Sequence, residues 1–186
     1  ATLVVSGGNS PVEIFSYLNQ MLIPWPKVTI ILGDDRMLDS DSSDSNDKLI
    51  RENLIINNAG SAKYLSLIDP SVTPSKLIFP FDVSLLGMGP DGHFASLFPE
   101  LLANTSLFEV DAPHEIYLSK NALGDPSHKR ITMNLSMLLD SVRCILLVSS
   151  KSKREVLDQA IGDSRLPVYH LINQNKVKIE FSDIDF

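Results

Sequence analysis

An open, mostly parallel α/β sheet with helices on both faces is the fold class this sequence predicts. Three observations lead to it. Short β-branched and aliphatic runs alternate with helical patterns along the whole chain. Those runs are apolar throughout instead of alternating, as strands covered on both faces require. Turn-forming, glycine-bearing segments follow directly on several of them, where a parallel strand hands over to its next connection. In chain order the expected strands are LVVSGG from Leu3, VTIILG from Val28, VSLLGMG from Val83, EIYLSK from Glu115, RCILLVSS from Arg143 and VKIEF from Val177. Between them the expected helices run over Pro11 to Leu22, Asp44 to Asn57, Ser96 to Ala103, Thr132 to Leu139 and Lys151 to Ile161. Ser10 is placed to cap the first, with Pro11 at its first helical position, and Ser45 or Asp44 to cap the second. In that second helix Leu49, Ile50, Asn53, Leu54 and Asn57 share one stripe.

Composition bounds the function. The chain has 186 residues, 44% of them hydrophobic and 21% charged, so it can bury its own core as one domain over 1–186. Its one cysteine, Cys144, lies in the apolar run CILLV and has no disulfide partner. No apolar run approaches the length of a membrane span, and the start at Ala1 shows no leader pattern, so a cytoplasmic protein is expected. A net charge of −7 argues against broad adhesion to nucleic acid or to an anionic membrane. An anion must then be held by a local cluster of cations.

Four segments carry chemistry. Ser6-Gly7-Gly8-Asn9 stands between a strand and a helix start, where backbone N–H groups converge on an anion; a plain tight turn is the alternative. Gly87 to His93, GMGPDGH, satisfies G-x-G-x-x-G formally, but Pro90 removes a donor and Pro99 cuts the next helix short, which disfavours a dinucleotide. The same turn presents Asp91 two residues before His93 at the carboxyl end of a strand, as acid and base chemistry needs; a surface turn is equally compatible with the spacing. Asp34-Asp35-Arg36 could orient a polyol or lactone, or form an ion pair among themselves. Lys129-Arg130 and Lys151-Ser152-Lys153-Arg154 concentrate positive charge, the latter at a helix start where cations are unfavourable unless an anion is shared. The acidic stretch from Asp39 to Asp47 lacks the glycine and the glutamate of a calcium loop and is read as a solvated loop ending in a helix cap.

Taken in order, SGGNSP, DDR with Ser45-Asn46, LLGMGPDGHFASLFPE, RIT, the Ser150 to Lys153 spacing and LPVYHLI resemble the 6-phosphogluconolactonase family, the lactonase branch of the group that also holds glucosamine-6-phosphate isomerases. The resemblance covers the chain from about residue 3 onward, and GMGPDGHFASLFP is its specific part. It implies a Rossmann-like sheet and, since relatives carry a further strand and helix before the SGG segment, a domain shortened at its N-terminus by roughly 30 to 40 residues. Phe98, where the isomerase branch has a glutamate, and Arg36, where it has an aromatic residue, favour the lactonase branch.

The activity implied is hydrolysis of 6-phospho-D-glucono-1,5-lactone without metal or organic cofactor. By this transfer His93 is general base and then acid, Asp91 positions it, and Arg36 stabilises the oxyanion or contacts hydroxyls. Ser6, Gly7, Gly8, Asn9, Arg130 and Lys153 hold the phosphate, while Asp34 and Gly89 also touch substrate. Three departures border the site: Asp35 is shorter than the family's glutamate, Phe94 replaces a threonine, and Ser150 replaces a glycine and threatens to crowd the ligand. The alternatives are a non-catalytic sugar-phosphate-binding module and an isomerase of glucosamine-6-phosphate. The expected partner is a small sugar phosphate, with the oligomeric state left open.

Overall fold

A computed structural model describes residues 1–183. Six strands, β1 (Thr2–Val5), β2 (Thr29–Leu32), β4 (Lys63–Leu65), β5 (Phe81–Gly87), β8 (Ser141–Val148) and β9 (Ile179–Asp183), form one sheet in the order β4-β2-β1-β5-β8-β9. Every pairing in it is parallel. Consecutive residues such as Val4, Val5, Ile30, Ile31 and Leu32 are all fully buried, so both faces of the central strands are covered.

From β1 the chain passes through α1 (Val12–Leu18) to β2 and through α2 (Asn46–Asn53) to β4, always toward one edge. From β5 it proceeds to β8, then through α4 (Lys151–Ala160) and α5 (Pro167–Ile172) to β9, toward the other. Right-handed crossovers in opposite directions put α1 and α2 on one face and α4 and α5 on the other. In agreement, α1 packs against α2 and α4 against α5. Winding therefore reverses between β1 and β5, which leaves a crevice beyond their carboxyl ends.

A second sheet roofs that crevice and was not expected from the sequence. β3 (Asp34–Arg36), β7 (Arg130–Met133) and β6 (Ile116–Leu118) pair antiparallel in the order β3-β7-β6. It grows out of the first: Gly33 donates its N–H to Val5 O and accepts from Met133 N, both at 2.9 Å. The EIYLSK strand thus belongs here and not to the parallel sheet.

The expected helices need four corrections. Ser10 does not cap α1; Pro11 occupies that place with no side-chain cap, and α1 ends at Leu18, well before Pro24 and Pro26, which open and lie within a 3₁₀ turn at Trp25–Lys27. The second helix spans Asn46–Asn53 only, capped by Ser45, whose Oγ accepts from Lys48 N. Ser96 to Ala103 is no α-helix: Ser96 is spent on Asp34 and Thr132, Pro99 holds Phe98 extended, and only a 3₁₀ turn at Pro99–Leu101 remains. Thr132 to Leu139 is a strand end followed by α3 (Leu135–Leu139), capped by Asn134, whose side chain accepts from Met137 N. Cys144 is buried, and burial pushes its thiol up to about 12. Among the described residues no helix is long and apolar enough to cross a membrane.

Asp35 is part of this framework. It is fully buried, and its carboxylate accepts from the backbone N–H groups of Arg36 (2.7 Å), Asn46 (2.7 Å) and Asp47 (3.0 Å), joining β3 to the start of α2. Burial pushes its pKa up to about 6 against those three donors. Replacing Asp35 by Ala leaves three backbone donors, two of them buried, without an acceptor, so urea unfolding is expected to register a loss of about 2–4 kcal/mol. The exposed Asp39→Ala should stay within about 0.5 kcal/mol.

Candidate active site

The crevice beyond β1 and β5 holds a cavity of about 130 Å³. Five segments line it: Ser6, Gly7, Gly8 and Asn9 after β1, Asp34 and Arg36 on β3, Gly89 and His93 after β5, Arg130 on β7, and Lys153 on α4. These are the residues the sequence singled out, apart from Asp91, which stands behind His93 instead of on the wall.

The turn after β5 is built around the imidazole. Gly89 N donates to His93 O at 2.8 Å and Gly92 N to Gly89 O at 3.1 Å, closing the loop on itself. A Cβ on Gly89 would lie 2.1 Å from His93 Cε1 and 2.3 Å from Nδ1, so only glycine lets the ring sit there. Asp91 Oδ1 meets His93 Nδ1 at 2.5 Å and also accepts His93 N–H at 3.2 Å. With Nδ1 donating to the carboxylate, the neutral ring keeps its lone pair on Nε2, the arrangement a general base needs. Burial acts to raise the Asp91 carboxyl, but the bond and charge of His93 outweigh it and hold Asp91 below its ordinary value. Below the turn, Val168 N of α5 donates to Gly92 O at 2.9 Å.

Phe98 ties this turn to the cations, a role that sequence reasoning missed. Its ring packs on His93, centroids 4.2 Å apart, and the Arg130 guanidinium lies 5.2 Å from the same ring's centroid. The SLFP pattern marked the position, but without the fold nothing assigned Phe98 these two partners.

Lys153 reaches back from α4 across the crevice to Ser10 Oγ at 2.7 Å and Ser149 Oγ at 3.3 Å. Its partners are neutral hydroxyls, and burial lowers its pKa, so an anion beside it would restore what burial removes. Arg130 is 3% exposed and oriented by Leu123 O at 3.0 Å and Pro126 O at 2.8 Å. Arg36 stands opposite it across β3 and β7, and its Nη1 donates to Asp44 O at 2.6 Å. Like charges directly opposite on a strand pair repel, which an anion between them relieves. Asp34 sits among them fully desolvated; burial raises its pKa, opposed by Ser96 Oγ at 2.6 Å and then by nearby Arg36.

Among the described residues, three buried side-chain atoms have no hydrogen-bond partner: Ser6 Oγ, Arg36 Nε and Asn46 Oδ1. All three residues line the cavity, and such atoms in a cavity ask for a polar ligand. Ser10, Asn46, Gly87, Met88 and Ala95 also line the wall, without having been named as site residues from the sequence. Ala95 is held at φ +46°, an uncommon conformation for a residue with a side chain.

The departures resolve in structural terms. Asp35 is the carboxylate that joins β3 to α2, and Phe94 is fully buried in the core. Ser150 turns its hydroxyl to Lys153 N at 3.3 Å as the cap of α4 and is bonded to Ser152 Oγ at 3.0 Å. Among the described residues no group of three or more His, Cys, Asp or Glu is placed to hold a metal ion.

Residues 1–179 match the model of the family described as glucosamine-6-phosphate isomerases/6-phosphogluconolactonase. The chain is 31% identical over 191 residues to a 6-phosphogluconolactonase of Helicobacter pylori, covering 96% of this chain and 82% of that one. It is 34% identical over 175 residues to one of Mesorhizobium japonicum, covering 87% and 72%. A solved 6-phosphogluconolactonase from Shewanella baltica superposes with a TM-score of 0.83 at 32% identity, over 97% of this chain and 82% of that one.

The contact between Asp91 and His93 can be read directly. A ¹³C titration of the Asp91 carboxyl is expected to give a midpoint below the ordinary 3.8, moving up toward it in His93→Ala. Gly89→Ala should do the same by displacing the ring. Gly87→Ala, where a Cβ meets nothing within 4 Å, should leave the midpoint in place.

Proposed function

We propose, starting from the fact that the chain belongs to the glucosamine-6-phosphate isomerase/6-phosphogluconolactonase family, that it hydrolyses 6-phospho-D-glucono-1,5-lactone to 6-phosphogluconate. The observation that carries the residue assignment is the meeting, in one crevice, of an imidazole with its carboxylate partner and a desolvated lysine facing a glycine-rich turn.

His93 Nε2 takes a proton from water as its oxygen attacks C1, and the carbonyl electrons move onto the oxygen. Arg36, whose Nε lacks a protein partner, stabilises that oxyanion. As the tetrahedral species collapses, the bond from C1 to the ring oxygen breaks and His93 returns its proton to the leaving alkoxide. The carboxylic acid so formed loses its proton to solvent. Asp91 keeps the ring in the productive tautomer throughout.

Ser6, Gly7, Gly8, Asn9, Arg130 and Lys153 hold the phosphate, and Asp34 and Gly89 border the sugar. Binding energy at the phosphate orients C1 toward His93 without entering the chemistry. Phe98 offers no proton-carrying group beside the imidazole, which favours hydrolysis over ring-opening isomerisation. No metal or organic cofactor is needed for these steps. The substrate is a soluble sugar phosphate, consistent with one cytoplasmic domain over 1–186.

The test separates chemistry from anchoring. His93→Ala is expected to lower lactone hydrolysis by roughly 100-fold or more while 6-phosphogluconate still binds. Lys153→Ala should weaken 6-phosphogluconate binding by about 10- to 150-fold and leave the slow hydrolysis of the phosphate-free lactone nearly unchanged. Near-wild-type turnover in folded His93→Ala removes the general base, and equal loss toward both lactones in Lys153→Ala removes the phosphate assignment.

A further inference from the structure

We propose that His128 and Asp44 form a clamp between two loops and act as positioning residues for the two guanidinium groups that flank the crevice. The proposal rests on reading the crevice as a sugar-phosphate site. Arg36 and Arg130 are cross-strand partners and repel one another, so their separation must be set by what holds each. Both are held by loop carbonyls. Arg36 Nη1 donates to Asp44 O in the acidic loop before α2, and Arg130 donates through Nε and Nη2 to Leu123 O and Pro126 O in the turn before β7. That turn is closed by the Leu123 and His128 backbones, 2.8 Å and 3.3 Å apart in their two hydrogen bonds.

The two loops meet where His128 Nε2 lies 3.0 Å from Asp44 Oδ2. Asp44 therefore uses its carbonyl for Arg36 and its carboxylate for His128, and each end of this contact belongs to a loop that orients one guanidinium. The turn has no slack against Arg130. Gly124 has φ +75°, and a Cβ there would stand 2.7 Å from the Phe98 ring and 2.8 Å from Arg130 Nη2, so moving the turn moves the guanidinium. The side chains of His128 and Asp44 are 25% and 42% exposed, and a pair so exposed contributes little to folding. Its loss should be felt in the placement of the arginines and scarcely in stability.

The measurement is calorimetric titration with 6-phosphogluconate and with inorganic phosphate for the wild-type chain, His128→Ala, Asp44→Ala and the double variant. Each single change is expected to weaken both ligands by about 3- to 10-fold, and the double variant to be no weaker than the worse single, as for one shared contact. His128→Lys, which restores an N–H donor to the Asp44 carboxylate, should recover most of the affinity. Arg143→Ala, which removes the exposed pair with Glu180 on the far sheet edge, should change nothing. The Nε–H signals of Arg36 and Arg130 in ligand-free protein should shift in both single variants. Unchanged affinities, additive losses, or a loss shared by Arg143→Ala overturns the clamp. A wild-type chain that binds neither ligand, with arginine signals that still respond to both variants, overturns the sugar-phosphate reading and leaves the clamp a purely structural contact.

Discussion

Where β1 and β5 run side by side, the chain leaves one toward β2 and the other toward β8, and the site depends on that divergence. Two parallel strands whose connections cross in opposite directions cannot have both carboxyl ends covered by the same helix. The Ser6 to Asn9 turn and the Gly87 to His93 turn therefore face one another across an open crevice, although they are far apart in sequence. Register completes the placement. Val5 pairs with Leu85, which brings the two turns out at the same height.

The antiparallel sheet supplies the rest of the charge. β3 leaves β2 through Gly33 and, by pairing with β7, carries Asp34 and Arg36 opposite Thr132 and Arg130 above the crevice. Two guanidiniums and a half-buried lysine around one small cavity are costly in an empty protein, because burial and mutual repulsion both disfavour their charges. Arg130 shows it: burial first, then Arg36, lowers its proton affinity. On the proposed reading a phosphorylated substrate supplies the missing negative charge, which links the electrostatic strain of the free site to recognition.

The central strands and the turn that bears His93 were legible because their signals are short-range. A continuous apolar run says that both faces are covered, and Asp91, Gly92 and His93 lie within one turn, so Asp91 was readable as the partner of His93. The β3 and β7 pairing was not legible, since the short DDR and RIT runs carry no periodicity and their partnership is fixed only by the fold. The same lack of long-range information made Ser96 to Ala103 look helical when Ser96 is bonded to Asp34 and Thr132. Ser150 shows a third limit: residue type announced a bulky neighbour for the ligand, while its direction, toward the first turn of α4, was set by capping.

The central claim is geometric: one ligand spans the crevice with its phosphate at the Ser6 to Asn9 turn and its reacting carbon at His93. A crystal structure of the chain with bound 6-phosphogluconate tests this most directly. The account predicts the phosphate within hydrogen-bond distance of Lys153 Nζ and the Gly7 and Gly8 N–H groups, with the C1 carboxylate within reach of His93 Nε2 and Arg36. A phosphate bound outside the crevice, or a C1 carboxylate turned away from His93 while the phosphate is in place, would contradict it.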